Sequence, residues 1–179
     1  MESSAMGRIG SIIAAGAKLG VMYAERLLAD VTPDACGRFA SPGGVTIRSN
    51  HPAFILGHLS LYPIRIMQNL KLPTGPTAFP PQYETLFKFG VECQDDPQGK
   101  TYPLLDELKT RFFDGYRAAI AAVESASDEA FDAPNPAEGR LRELFPTVGS
   151  AINFYLIGHV QVHLGQFSAW RRAMGLPPA

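Results

Sequence analysis

No stretch of this chain alternates apolar and polar residues convincingly with the two-residue period of a strand, whereas long stretches carry apolar side chains at helical spacing. The first runs from Ile9 to Ala29, with Ile12, Ile13, Leu19, Met22, Tyr23 and Leu27 at near-helical intervals. Gly10, Gly16 and Gly20 weaken it intrinsically but allow a neighbouring helix to come close. Thr32-Pro33 ends it, and Ser41-Pro42-Gly43-Gly44 marks a loop. Asn50-His51-Pro52 reads as the start of a second helix, Pro52 to Leu70, with proline at its first position and His51 in a capping or loop role. Pro63 has no N–H for the Leu59 carbonyl and should bend or break this helix.

Residues 73–102 form a long connection rich in proline, glycine and acids, with a short helix expected around Tyr83 to Lys88. Such a length is unusual inside a compact domain and often functional; here it is expected to cap one end of the molecule. Pro103 opens a third helix, 103–125, striped by Leu105, Leu108, Phe112, Tyr116, Ala119 and Val123. After a loop at Asp132 to Pro136, a fourth runs over 147–174. Gly175 suits its C′ position, and Arg171 and Arg172 complement the carboxyl end of its dipole. The expected fold is all-α: a single domain over 1–179, built as a four-helix bundle with long connections.

A chain of 179 residues suffices for one sizeable core. A net charge of -1, with no run of Lys and Arg, gives no support for nucleic acid or an anionic membrane as partner. Cys36 and Cys93 are far apart and form no CxxC pair, so a reduced, cytoplasmic protein is expected. The segment after Arg8 is too short and, with Lys18 and Glu25, too charged for a membrane span or a good signal peptide.

His159 and His163 stand four residues apart in YLIGHVQVHLGQFSAW, which on a helix stacks two imidazoles on one face. One divalent ion can bridge such a pair. His58, in HPAFILGHLSLYPIRIM, would complete a three-nitrogen set from two helices with positions left open. A lone histidine on an apolar face is usually a hydrogen-bonded core residue. Here, however, three of the four histidines in the chain fall on such faces. At about 100° per residue, the stripe around His159 contains Ile152, Tyr155, His163, Gln166 and Trp170. The stripe around His58 contains His51, Phe54, Tyr62, Arg65 and Asn69. Both mix polar and apolar groups, as a pocket wall does. Tyr62, Tyr155 and Gln166 are candidates to orient a bound water or substrate, with packing or support of the histidines as the plainer role. Arg65 could bind a carboxylate, though Pro63 leaves its direction open.

Other chemistries find less support. Asp106, Glu107 and Asp114 fall mostly on the expected solvent face of the third helix, and no Glu-x-x-His occurs, which disfavours a carboxylate-rich di-iron site. HExxH, P-loop and GxGxxG patterns are absent. Cys93 in VECQDDP has no obvious neighbour that would lower its pKa.

NHPAFILGHLSLY, LFKFG with the later YPLLDELKTRF, and GHVQVHLGQFSAWRRAMGLP together resemble the DinB-like superfamily of four-helix-bundle metalloproteins, which includes bacillithiol- and mycothiol-linked enzymes. The resemblance runs from about Asn50 to the C-terminus. It is most specific at the histidine of the second helix and at the H-x3-H-x-G-Q run. It implies that His58, His159 and His163 match the family's ligands for one divalent ion such as zinc, nickel or iron, and all three positions are filled. Members of that family often dimerise, so a homodimer is compatible with it.

Three neutral imidazoles leave the ion's charge unbalanced, which favours a bound water of lowered pKa or an anionic ligand such as a thiolate. The expected function is therefore a metal-dependent enzyme acting on a small molecule. Thiol transfer from a low-molecular-weight thiol to an electrophile, as in the S-transferase members of the similar family, is placed ahead of hydrolysis or isomerisation. The competing class is a non-catalytic metal-binding stress-response protein. A structural zinc site is normally closed by four protein ligands, and only three are found.

Overall fold

A computed structural model of the chain describes residues 7–179. Among them there is no strand, only isolated bridges at Ala40–Ile47 and Pro134–Thr147. The helices in order are α1 (Arg8–Leu27), α2 (Pro33–Cys36), α3 (Pro52–Leu59), α4 (Pro63–Asn69), α5 (Gln82–Phe87), α6 (Leu105–Ser125), α7 (Asp128–Asp132), α8 (Arg140–Leu144), α9 (Val148–Asn153) and α10 (His159–Ala173). A π-helical turn, Phe154–Gly158, joins α9 to α10. No helix among the described residues is long and apolar enough to cross a membrane.

α1 lies against α6 and α10, while α3 and α4 pack on α6. Ala14, Ala17, Ala24 and Leu27 of α1 meet Leu108, Phe112, Ala119 and Val123 of α6 within one continuous buried core. Small residues set the closeness of this contact. A Cβ on Gly10 would collide with the Val123 carbonyl, so α1 rides directly on the backbone of α6 there.

Pro63 divides the second expected helix as its chemistry requires. α3 stops at Leu59, and α4 restarts with Pro63 at its first position. His51 caps α3 as expected: its Nδ1 accepts from the Phe54 N–H at 3.3 Å, so its Nε2 donates to the Gln94 carbonyl at 2.9 Å. The third helix departs from expectation at its start. It begins at Leu105 rather than Pro103, because Leu104 is extended (ψ 146°), and Asp106 and Glu107 then occupy the first turn.

Thr147 and Ser150 form a reciprocal capping box at the start of α9. At the end of α10, the Leu176 N–H reaches the Arg171 carbonyl and the Gly175 N–H the Arg172 carbonyl, with Gly175 at φ 76°. This is a Schellman closure. Arg171 and Arg172 occupy the last turn of α10 as expected, and the Arg171 side chain does more than complement its own helix end. It is buried and crosses to α1, donating to the Leu27 and Ala29 carbonyls, and to Pro177 O at 2.9 Å. The Leu27 carbonyl ends α1 without an intrahelical donor and Ala29 lies in the turn just beyond, so the guanidinium satisfies a second helix terminus.

Candidate metal centre

Two helices deliver the three histidines. His58 sits near the end of α3, one turn before the Pro63 break, and His159 and His163 occupy successive turns of α10. The π turn leads directly into His159, whose N–H bonds to the Phe154 carbonyl five residues back. Such wide turns recur at functional sites because they re-aim side chains within a helix. His58 is buried, while His159 and His163 are half-buried.

The imidazoles face one another through their Nε2 atoms. His159 Nε2 lies 3.2 Å from His58 Nε2 and 3.1 Å from His163 Nε2. The potential ligand atoms of the triad all fall within 4.8 Å of one another. The opposite ring nitrogens explain the convergence. His58 Nδ1 donates to the Phe87 carbonyl at 2.6 Å, and His163 Nδ1 donates to Gln166 Oε1 at 2.9 Å. Each of these rings therefore carries its proton on Nδ1 and presents an Nε2 lone pair inward. Gln166 Oε1 also accepts from Asn50 Nδ2 at 3.0 Å, which holds the amide in place.

Neutral His159 can donate from Nε2 to one facing lone pair at most, and the Tyr62 hydroxyl, 3.3 Å from His58 Nε2, is placed to donate to the other. A cation at the centre would engage the inward nitrogens directly. Three neutral nitrogen donors within 4.8 Å of one another form a donor set of the type that holds divalent transition-metal ions. The residues present fit a divalent metal ion. One support is lacking: His159 Nδ1 is buried without a partner. Ligating histidines usually donate from that atom.

Electrostatics agree with ligands ready to bind. Burial, followed by the neighbouring His163 and His58 rings, pushes His159 down to about 3. Burial and His58 push His163 down to about 4 against the opposing pull of Gln166, and burial also lowers His58. All three are neutral at pH 7, the form a metal requires.

The triad opens into a cavity of about 790 Å³ lined by Phe54, Tyr62, Phe145, Phe154 and Tyr155 among others. That volume suits a small-molecule ligand. Of the cavity-lining residues singled out from sequence, Tyr62 stands against the inward face of the histidines. Its hydroxyl lies 3.3 Å from His58 Nε2, and its ring centroid 4.3 Å from that of His159. Burial raises its pKa, so it remains a proton donor. Tyr155 lines the cavity with its ring 5.4 Å from that of Tyr62. Gln166 acts through His163 rather than as part of the wall.

Arg65 faces the cavity, its guanidinium 5.4 Å above the Tyr62 ring. The 73–102 connection contributes Lys88, Phe89, Gly90 and Val91 as wall and the Phe87 carbonyl as the His58 anchor. Sequence reasoning missed Arg140, Leu141, Leu144 and Phe145, which α8 and its flank bring over the opposite side. Asp106 and Asp114 are exposed, and Glu107 accepts from the Tyr83 hydroxyl at 3.1 Å, so none enters the site. Cys36 and Cys93 are buried thiols held up at about 11 mainly by desolvation, unsuited to attack at neutral pH.

Comparison with protein-family models, with curated proteins and with solved structures finds no match to this chain.

Proposed function

We propose that the chain is a DinB-like four-helix-bundle metalloprotein in which His58, His159 and His163 hold one divalent ion, and that it is a thiol-dependent transferase acting on a small electrophile. The observation that carries this reading is the convergence of three Nε2 atoms at the edge of a cavity of about 790 Å³. Three ligands on one side and open space on the other are what a reacting site needs, whereas a structural zinc site is closed by four protein ligands.

Bound there, the ion supplies Lewis acidity that favours the anionic form of a thiol. The protein's own groups do the rest. Phe87 and Gln166 fix two imidazoles in the Nδ1–H tautomer. The Tyr62 hydroxyl, now hydrogen-bonded to the His58 lone pair, becomes available as a donor to substrate when that lone pair is engaged. Phe54, Phe145 and Phe154 give the reacting sulfur an apolar surround. In the transfer the thiol gives up its proton to solvent water and its sulfur bonds to the electrophilic carbon. The bond to the departing atom breaks, and that atom leaves with the electron pair and takes a proton from Tyr62, which regains one from solvent.

Cobalt substitution tests the open site. Adding a small thiol or azide to the fully loaded protein should shift the visible absorption of the cobalt centre. An unchanged spectrum at full cobalt load would mean a closed site and would remove the enzyme reading.

A further inference from the structure

The charged residues around the histidine cavity are all of one sign. The chain carries 16 basic and 17 acidic residues, yet the cavity is lined by Arg65, Lys88 and Arg140 and by no carboxylate. They come from three separate places: α4, the connection just after α5, and the first residue of α8. None makes an ion pair among the described residues, whereas Lys18, Arg38, Lys109 and Arg117 all do. Glu84 lies in the adjoining cleft, which shares Arg65, Leu141 and Tyr155 with this cavity, and Glu92 and Glu143 stand in the chain beside the lining residues Val91 and Leu144 without lining it themselves.

The remaining lining is mainly apolar, and two of its members are unusually exposed. Phe89 is 91% and Leu144 57% accessible, and both line the cavity, one from the connection after α5 and the other from α8. Large apolar side chains left in water at the wall of an apolar cavity are placed to be covered by what enters it. Unpaired cations beside them would hold an anionic group by charge-assisted hydrogen bonds.

We infer that the cavity binds an amphipathic anion, an apolar body carrying a carboxylate or phosphate headgroup, with Arg65, Lys88 and Arg140 receiving the headgroup and Phe89, Leu144 and the aromatic wall covering the body. This rests on reading the histidine cavity as the working site, and it names the substrate class that site accepts. The headgroup neutralises the cations and the body is desolvated between the two walls. A purely polar anion or an apolar cation satisfies only half of the surface.

The test is calorimetric titration of the full chain with octanoate, octyl phosphate, octyltrimethylammonium, octanol and acetate. Octanoate or octyl phosphate binds, the better of the two identifying the headgroup. The cationic, neutral and short probes bind at least about tenfold more weakly, and Arg65→Gln and Arg140→Gln each weaken the anion by about tenfold. Both arginines are exposed, so these variants retain the fold. Equal binding of octanol or octyltrimethylammonium, or affinities indifferent to both arginine changes, overturns the inference. The same titration on His159→Ala/His163→Ala, with metal content measured beside it, separates the two readings. Binding that vanishes with the metal and ignores the arginines sinks the anion site alone. Arginine-dependent binding in a wild type that takes up no metal sinks the metal site alone.

Discussion

The Phe87 main-chain carbonyl accepts a 2.6 Å hydrogen bond from His58 Nδ1, joining the 73–102 connection to the histidine cluster. Gly57 makes this contact possible, because a Cβ there would fall inside the Phe87 ring. Gly57→Ala therefore displaces Phe87 and its carbonyl while leaving every histidine in place. Metal affinity should fall about 10–100-fold, as when other groups supporting a metal ligand are lost. Competition with a chelator measures it, with circular dichroism confirming retained helix. Wild-type affinity in this variant would show that the carbonyl does not orient His58.

Gln166 plays the corresponding part for His163. Gln166→Leu keeps the bulk but removes the acceptor, so His163 can no longer be held with its proton on Nδ1. The same competition should show a loss of about 10–100-fold, while Gln166→Glu, which retains an acceptor, should restore much of it. Equal affinities in Leu and Glu variants would count against the tautomer argument.

The metal-free protein should be acid-labile well above the carboxylate range. His159 and His163 are held at about 3 and about 4 when folded, against 6.5 for the ordinary side chain, and His51 and His58 are also lowered by burial. Below pH 6.5 the unfolded chain takes up protons that the folded chain refuses, so stability falls with pH from 6.5 toward about 3. Asp95 and Asp96, lowered from 3.8, add to this only at the acid end of the window, so the histidines dominate the fall above it. Urea midpoints between pH 7.5 and 4.5 should decrease steadily, and less steeply in His159→Ala/His163→Ala. A flat profile, or identical slopes for the two proteins, would contradict neutral buried histidines.

The histidine cluster was legible because its spacing is local. Four residues on a helix fix His159 against His163 without reference to the rest of the molecule, and Pro63 announces its own break next to His58. The capping roles of His51 and Gly175 are likewise written in their immediate neighbours. What escaped notice depends on elements that meet far apart in sequence. Arg140 to Phe145 form part of the cavity wall only because α8 folds over it, and its five residues carry too little periodicity to reveal that destination. The Phe87 carbonyl is a backbone atom and has no sequence signature. Arg171 reads as a dipole partner for its own helix until α1 is seen to end beside it. The π turn inserts its extra width between Phe154 and Gly158, where a constant angle per residue passes straight through.

The central claim is that His58, His159 and His163 share one ion, and metal content tests it most directly. Protein purified untagged and without added metal should be analysed by mass spectrometry beside His58→Ala and His159→Ala/His163→Ala. The account predicts about one equivalent of a divalent metal in the wild type and its loss in both variants. A folded wild type that stays empty after incubation with zinc, nickel or iron(II) would contradict it.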